Sequence, residues 1–129
     1  NADPSVTALS TTMKAEISRF RPGFDATSNL FRYRFLVMNL SEANAQLEGK
    51  AVVIVKAGEN YYSNPVVQLS NGNLVSSKSG ILFRIQRQKE MTGQIRIPVK
   101  PTDIKEATII LNDLNGVEII RRVFTITNP

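Results

Sequence analysis

In the stretch LFRYRFLVMN, residues 30–39, apolar and polar side chains alternate. Phe31, Tyr33, Phe35 and Val37 share one side of an extended chain, and the two arginines between them share the other. Alternation with a period of two, in aromatic and β-branched residues, is typical of a half-buried β-strand. This segment therefore predicts a strand whose aromatic side faces a core and whose arginine side faces solvent.

Further short segments of strand character follow at intervals of about a dozen residues, with turn residues between them. Val52-Val53-Ile54-Val55 is the most continuous apolar run and predicts a central strand. Asn71-Gly72 is the clearest two-residue hairpin turn, because both residues tolerate positive φ. The remaining strands are predicted over residues 14–21, 61–69 with a break at Pro65, 74–75, 81–86, 94–99, 108–111 and 117–126.

Two local features qualify this pattern. Pro22-Gly23 predicts a turn that ends the first strand. Ahead of it, the four-residue spacing of Leu9, Met13 and Ile17 leaves a helical turn as the alternative to the start of that strand. In the last strand the apolar positions change side near Arg121-Arg122, which predicts a β-bulge.

The pattern as a whole predicts an all-β fold. We expect an antiparallel two-sheet β-sandwich, immunoglobulin-like in outline, with about eight strands, and a closed barrel is the alternative. The 129 residues suffice for one domain. We expect residues 14–129 to form a single sandwich and residues 1–13 a flexible or partly helical lead-in, with Asn1-Ala2 as the remnant of a cleaved tag.

The composition excludes several kinds of chemistry. The sequence has no cysteine and no histidine, so it offers no disulfide, no thiolate ligand and no imidazole base. Lys78-Ser79-Gly80 imitates a fragment of an enzyme motif without its partners, and the turn Asp113–Gly116 resembles an incomplete calcium loop. We therefore expect no enzyme activity, no metal and no cofactor, with carboxylate or lysine chemistry as the one route left open.

The segment around Pro65 is the first candidate binding surface. Proline cannot donate a hydrogen bond to a sheet, so this segment should lie at an edge, where Tyr61, Tyr62, Val66 and Val67 could contact a partner or ligand. An interaction with another protein is the first interpretation of this edge. A carbohydrate-binding module is the alternative, because one of two adjacent strand tyrosines should face outward.

Positive charge marks a second candidate surface. Sixteen Lys and Arg against eleven Asp and Glu give a net charge of +5, which is compatible with an acidic partner, nucleic acid or an anionic membrane. A basic face could contain Arg32, Arg34, Arg84 and Arg96. Nucleic-acid binding is not favoured, because strand alternation places the arginines of residues 30–39 opposite the aromatic rings that would have to stack on bases.

Several segments also resemble the C-terminal periplasmic β-sandwich domain of bacterial inner-membrane proteins with one membrane span, a coiled coil and no assigned function. The similar segments are short apolar motifs, namely residues 31–37, 47–53, 83–86, 92–98 and 100–101. The resemblance implies a non-catalytic, structural or protein-interaction role in the bacterial cell envelope. It also implies a periplasmic or otherwise extracytoplasmic location and a membrane anchor in the full-length protein. The partner that we expect is another envelope protein, with a second copy of this chain as the alternative.

Overall fold

The structure, a computed structural model, describes residues 13–42, 45–98 and 100–127. The lead-in expected over residues 1–13 lies outside these ranges except for Met13, which packs against the core. The described residues contain no helix that is long and apolar enough to cross a membrane. They form ten strands: β1 Ala15–Asp25, β2 Leu30–Asn39, β3 Leu47–Ala57, β4 Asn60–Asn64, β5 Leu69–Ser70, β6 Asn73–Leu74, β7 Ile81–Ile85, β8 Gln88–Arg96, β9 Ile104–Asn112 and β10 Glu118–Thr125.

The strands form two antiparallel sheets and a small hairpin. A three-stranded sheet has the order β1-β2-β8, and a five-stranded sheet has the order β10-β9-β3-β4, in which β7 also pairs with β3. Strands β5 and β6 pair with each other around Asn71-Gly72, as the sequence predicts. The predicted antiparallel β-sandwich is confirmed, with about two strands more than expected.

The core lies between the two sheets. From β2 it receives Phe31, Tyr33, Phe35 and Val37, all buried, while the arginines between them stay exposed. The five-stranded sheet contributes alternate residues of β3 and β9 to the same cluster. Period-two alternation therefore sorts β2 into a core side and a solvent side, as its sequence predicts.

A second, smaller cluster explains the continuous apolar run in β3. Val52 and Ile54 point away from the main core and are nevertheless buried, together with Ile110 of β9. The segment after β4 covers them, with Val67 and Leu69 among the residues packed on top. β3 is apolar on both sides because both faces of its sheet are covered here.

Two local predictions are wrong. β1 does not end at Pro22-Gly23 but continues to Asp25, because β1 is an edge strand in which a proline need not donate to a neighbour. The chain turns instead at residues 26–29, where Asn29 has a φ of 57°. The bulge in β10 lies between Glu118 and Ile120, ahead of the expected Arg121-Arg122.

Other strand limits also differ from the prediction. The strand expected over residues 94–99 is β8, which begins at Gln88 and ends at Arg96. Between Pro65 and Leu69 the chain is irregular, so this part of the expected edge strand is a connection across the outside of the five-stranded sheet.

Candidate functional site

An open groove lies where β4 and β8, edge strands of opposite sheets, run next to each other. Its volume is about 450 Å³, and we call it the edge groove. The four edge residues that the sequence singles out all line it. The complete lining is Tyr61, Tyr62, Ser63, Asn64, Val66, Val67 and Leu69 on one side and Gln94, Ile95 and Arg96 on the other. The structure thus brings the predicted residues together and adds a wall from β8.

The two tyrosines of the edge groove point to opposite faces of the five-stranded sheet. Tyr62 packs against the main core and Tyr61 against the outer cluster. The Lys56 ammonium lies 5.8 Å from the Tyr61 ring centroid. The ring also lies against Gly72, where a Cβ would come 2.5 Å from the Tyr61 Cε1 atom. Both rings are half-buried, each packed against one of the two hydrophobic clusters.

The valines of the edge groove differ in environment. Val66 is 94% exposed, whereas Val67 is half-buried on the outer cluster. Both valines belong to a turn over residues 63–67, which contains a cis peptide bond between Asn64 and Pro65. It is held by Ser63, whose hydroxyl donates to the Pro65 carbonyl at 2.9 Å and accepts from the Val67 amide at 3.2 Å. Val66 therefore projects into solvent from a fixed backbone.

A hydrogen bond joins the two sheets beside this groove. The Asn64 side-chain amide in β4 donates to the Tyr33 hydroxyl in β2 at 2.8 Å. Burial raises the pKa of Tyr33 above its usual 10.0, and the bond from Asn64 opposes that shift. Gly93 of β8 lies directly opposite Tyr33, and a Cβ there would fall 2.6 Å from the Asn64 amide nitrogen. The edge groove is therefore built on a tightly packed contact between the sheets.

The four arginines proposed from sequence do not form one surface. Arg32 and Arg34 project from β2 on the outer side of the three-stranded sheet, and Arg96 lies on the same side at the end of β8. Arg96 donates to the Ser28 carbonyl at 3.1 Å. Arg84 belongs to β7 in the other sheet, where it forms an ion pair with Glu48 at 2.7 Å.

Sequence reasoning misses Arg21. The structure places it in β1 directly opposite Arg34, on the same outer side. Arg21, Arg32 and Arg34, which we call the arginine face, line a second groove of about 660 Å³ together with Thr92 and Gln94 of β8. Alternation along the chain does not give the register of β1 against β2, and an irregularity between Ser18 and Arg21 shifts that register and places Arg21 opposite Arg34.

The turn Asp113–Gly116 is a hairpin connection. The Asp113 carboxylate is buried and accepts hydrogen bonds from the amides of Asn115 and Val117, each at 2.9 Å. In this geometry the carboxylate oxygen satisfies the backbone of its own loop, the usual role of aspartate in a turn. Within the described ranges, no group of three or more acidic side chains comes close enough to hold a metal ion.

Comparison with known proteins yields distant structural similarity only. No protein-family model matches the chain, and no curated protein is significantly similar to it. The chain is similar to β-glucosidase 3B from Thermotoga neapolitana in complex with α-D-glucose, with a TM-score of 0.45, 12% sequence identity and coverage of 88% of this chain but 16% of that chain. For the GH3 β-glucosidase of Bifidobacterium adolescentis the TM-score is 0.44 and the identity 13%, over 88% of this chain and 17% of the other. The chain thus spans less than a fifth of these enzymes, and similarity at this level carries no information about activity or ligand.

Proposed function

We propose that this β-sandwich is a non-catalytic protein-interaction module that binds an extended apolar segment of another cell-envelope protein in the edge groove. The observation that carries the proposal is the meeting of two open strand edges, β4 and β8, beside a valine that is 94% exposed. Open strand edges present unpaired backbone donors and acceptors, which an extended partner segment can satisfy by pairing.

The groove has the properties of a site for an apolar side chain. Tyr62 packs against the main core and Tyr61 against the outer cluster, so both rings are already ordered. Little side-chain entropy is therefore lost when a partner packs against them. Burying the exposed side chain of Val66 would contribute about 1.5 kcal/mol to binding. Anchors that are already ordered, next to an apolar residue in solvent, favour an interface over a merely structural edge.

The non-catalytic part of the proposal is supported by composition. Histidine and cysteine are absent from the sequence, and these side chains supply most neutral-pH bases and nucleophiles. The envelope setting, the extracytoplasmic location and a membrane anchor in the full-length protein rest on the resemblance to periplasmic domains. Fractionation of the source cells, with an antibody against this domain, tests the setting, and recovery in the cytosolic fraction would refute it.

The binding site is tested by selecting extended peptides that bind the domain from a random library. We expect selected peptides to carry alternating apolar residues and to shift the backbone NMR signals of Tyr62, Val66 and Ile95. Val66→Lys should weaken their binding at least tenfold, because the lysine charge opposes desolvation of the groove.

The matched control is Val123→Lys. Val123 is 53% exposed in β10, the opposite edge strand of the five-stranded sheet, and this variant should bind the peptides as the unchanged domain does. Equal loss of binding in the two variants, or signal shifts confined to another surface, would refute the proposal. Dimerisation that Val66→Lys abolishes, measured by light scattering, would instead identify a second copy as the partner and refute binding to another envelope protein.

A further inference from the structure

The outer side of the three-stranded sheet carries three arginines in two adjacent rows of side chains, and Arg96 lies in the row beyond them, with Asp25. In one row Arg21, Arg34 and Thr92 lie opposite one another, and in the next row Gly23, Arg32 and Gln94 do. The acidic side chains of this side lie in other rows. They are Glu16, Asp25 and Glu90.

The arginine face is electrostatically unfavourable in the isolated domain. Arg21 and Arg34 form a directly opposed cross-strand pair, and like charges in that position repel. The ion pairs among the described residues join Arg84 to Glu48, Arg121 to Glu118 and Arg122 to Glu16. The charge of Asp25, in the adjacent row, partly offsets that of Arg32, but no described ion pair includes Arg21 or Arg34. An anion bound between the arginines would relieve this repulsion.

The arginine face also has room for a ligand. A Cβ at Gly23 would meet nothing within 4 Å, so the position opposite Arg32 is open. The resulting groove of about 660 Å³ is bordered by the neutral hydrogen-bonding side chains of Thr92 and Gln94. Guanidinium groups beside neutral donors suit carboxylates, which accept two parallel hydrogen bonds from one arginine.

We infer that the arginine face binds an extended acidic polypeptide segment with carboxylates at alternate positions. Arg32 and Arg34 are two residues apart on β2, which separates their Cα atoms by about 6.6 Å along the strand. An extended segment with an acidic residue at every second position presents its carboxylates with the same repeat. Arg21, across from Arg34, adds a second donor for one of them. This site shares only Gln94 with the edge groove, and the inference does not depend on the proposed function.

The surroundings favour a polypeptide over single-stranded nucleic acid. Nucleic-acid grooves of this kind combine cations with aromatic rings on which bases stack. The aromatic residues of β2 point into the core, and on the outer side the two arginine rows contain Gly, Thr, Gln and Arg alone.

The test measures binding of fluorescent peptides of about ten residues, extended to about 33 Å, by anisotropy. One peptide alternates glutamate with serine, and a second has the same composition with paired glutamates and paired serines. We expect the alternating peptide to bind more tightly, because its charges match the spacing of Arg32 and Arg34. Binding should weaken as the ionic strength rises from about 0.01 M to about 0.15 M, which shortens the Debye length from about 30 Å to about 8 Å.

Two sets of variants separate the arginine face from net charge. The double variant Arg21→Gln/Arg34→Gln should weaken binding at least tenfold, whereas Lys78→Gln/Arg121→Gln, with the same change in net charge outside the arginine face, should alter it less than twofold. Gly23→Leu leaves the charge unchanged and should also weaken binding, because it fills the open position. Circular dichroism checks that each variant is folded.

Several results would overturn the inference. Equal effects of the two double variants would mean that only net charge attracts the peptide. Equal affinity for the two peptides would remove the argument from strand spacing. Tighter, Arg34-dependent binding of an oligothymidylate or of vesicles containing phosphatidylglycerol would assign the face to nucleic acid or membrane instead.

Discussion

Replacing Gly93 with alanine should destabilise the sandwich, because Gly93 lies against the hydrogen bond by which Asn64 of one sheet contacts Tyr33 of the other. The added Cβ would lie 2.6 Å from Cζ of Tyr33 and 2.6 Å from the Asn64 amide nitrogen, and nearer still to the Tyr33 hydroxyl. Tyr33 cannot swing away, because it is 6% exposed and its ring lies between those of Phe31 and Phe35, with centroids 6.3 and 6.0 Å away.

The magnitude follows from two opposing effects. Overpacking of this kind costs about 1–3 kcal/mol, and displacement of the Tyr33 hydroxyl from Asn64 adds about 1 kcal/mol. Alanine also restricts the backbone conformations of the unfolded chain, which offsets about 0.4–1 kcal/mol of this loss of stability. We therefore expect Gly93→Ala to lower the free energy of unfolding by about 1–3.5 kcal/mol.

The matched control is Gly23→Ala in β1, where a Cβ meets nothing within 4 Å. This variant should be as stable as the unchanged protein or slightly more stable, because only the unfolded-chain effect remains. Urea unfolding followed by far-ultraviolet circular dichroism measures both variants. It avoids tyrosine fluorescence, which a change at Tyr33 would alter.

A double-mutant cycle locates the clash. Tyr33→Phe alone should cost about 1 kcal/mol, because Asn64 loses its acceptor. With the hydroxyl absent, Gly93→Ala should cost less than it does in the unchanged protein, giving a coupling energy of about 1 kcal/mol or more. Additive effects, or equal stability of Gly93→Ala and Gly23→Ala, would refute the described packing.

Three further predictions concern other parts of the molecule. Because burial raises the pKa of Tyr33 above 10.0, the unfolded chain loses this proton at lower pH than the folded chain does. The free energy of unfolding should therefore fall as the pH rises above 10 through the folded pKa, and the difference between the unchanged protein and Tyr33→Phe, measured by urea unfolding, should shrink over that range. Asn39→Ala should cost about 2 kcal/mol in the same assay, because its amide donates at 2.8 Å to the carbonyls of Ala45 and Gln86 in two separate connections, and about 1 kcal/mol is lost with each bond. A loss below about 0.5 kcal/mol, roughly the scatter among surface substitutions, would contradict this. Val66→Lys should leave the melting temperature unchanged, whereas Val67→Lys should lower it, because only Val67 packs on the outer cluster; equal effects would mean that this cluster does not stabilise the fold.

Where a property depends on local side-chain direction, the sequence alone determines it. The alternation in LFRYRFLVMN predicts a strand with the limits that β2 has, Leu30–Asn39, and the correct buried side. Asn71-Gly72 likewise predicts its hairpin, because positive φ at these residues is a local property. Pro65 predicts an edge, and β4, which ends just before it, lies at the edge of its sheet.

Turn residues and bulges are harder to predict from sequence, because their outcome depends on which strands lie alongside them. Pro22-Gly23 would break a central strand, but β1 pairs on one side only and tolerates both residues. The bulge in β10 is predicted correctly in kind and wrongly in position, since its place depends on the register with β9.

The sequence by itself determined that the chain forms short antiparallel strands with an aromatic core side, and it identified the tyrosines and valines of one edge. Only the tertiary structure decided that β8 forms the opposite wall of the edge groove and that Arg21 lies across from Arg34. The physical reason is that alternation specifies which way a side chain points from its own strand. Which strand lies beside it is decided by how two sheets close over a shared core, through contacts between residues far apart in sequence.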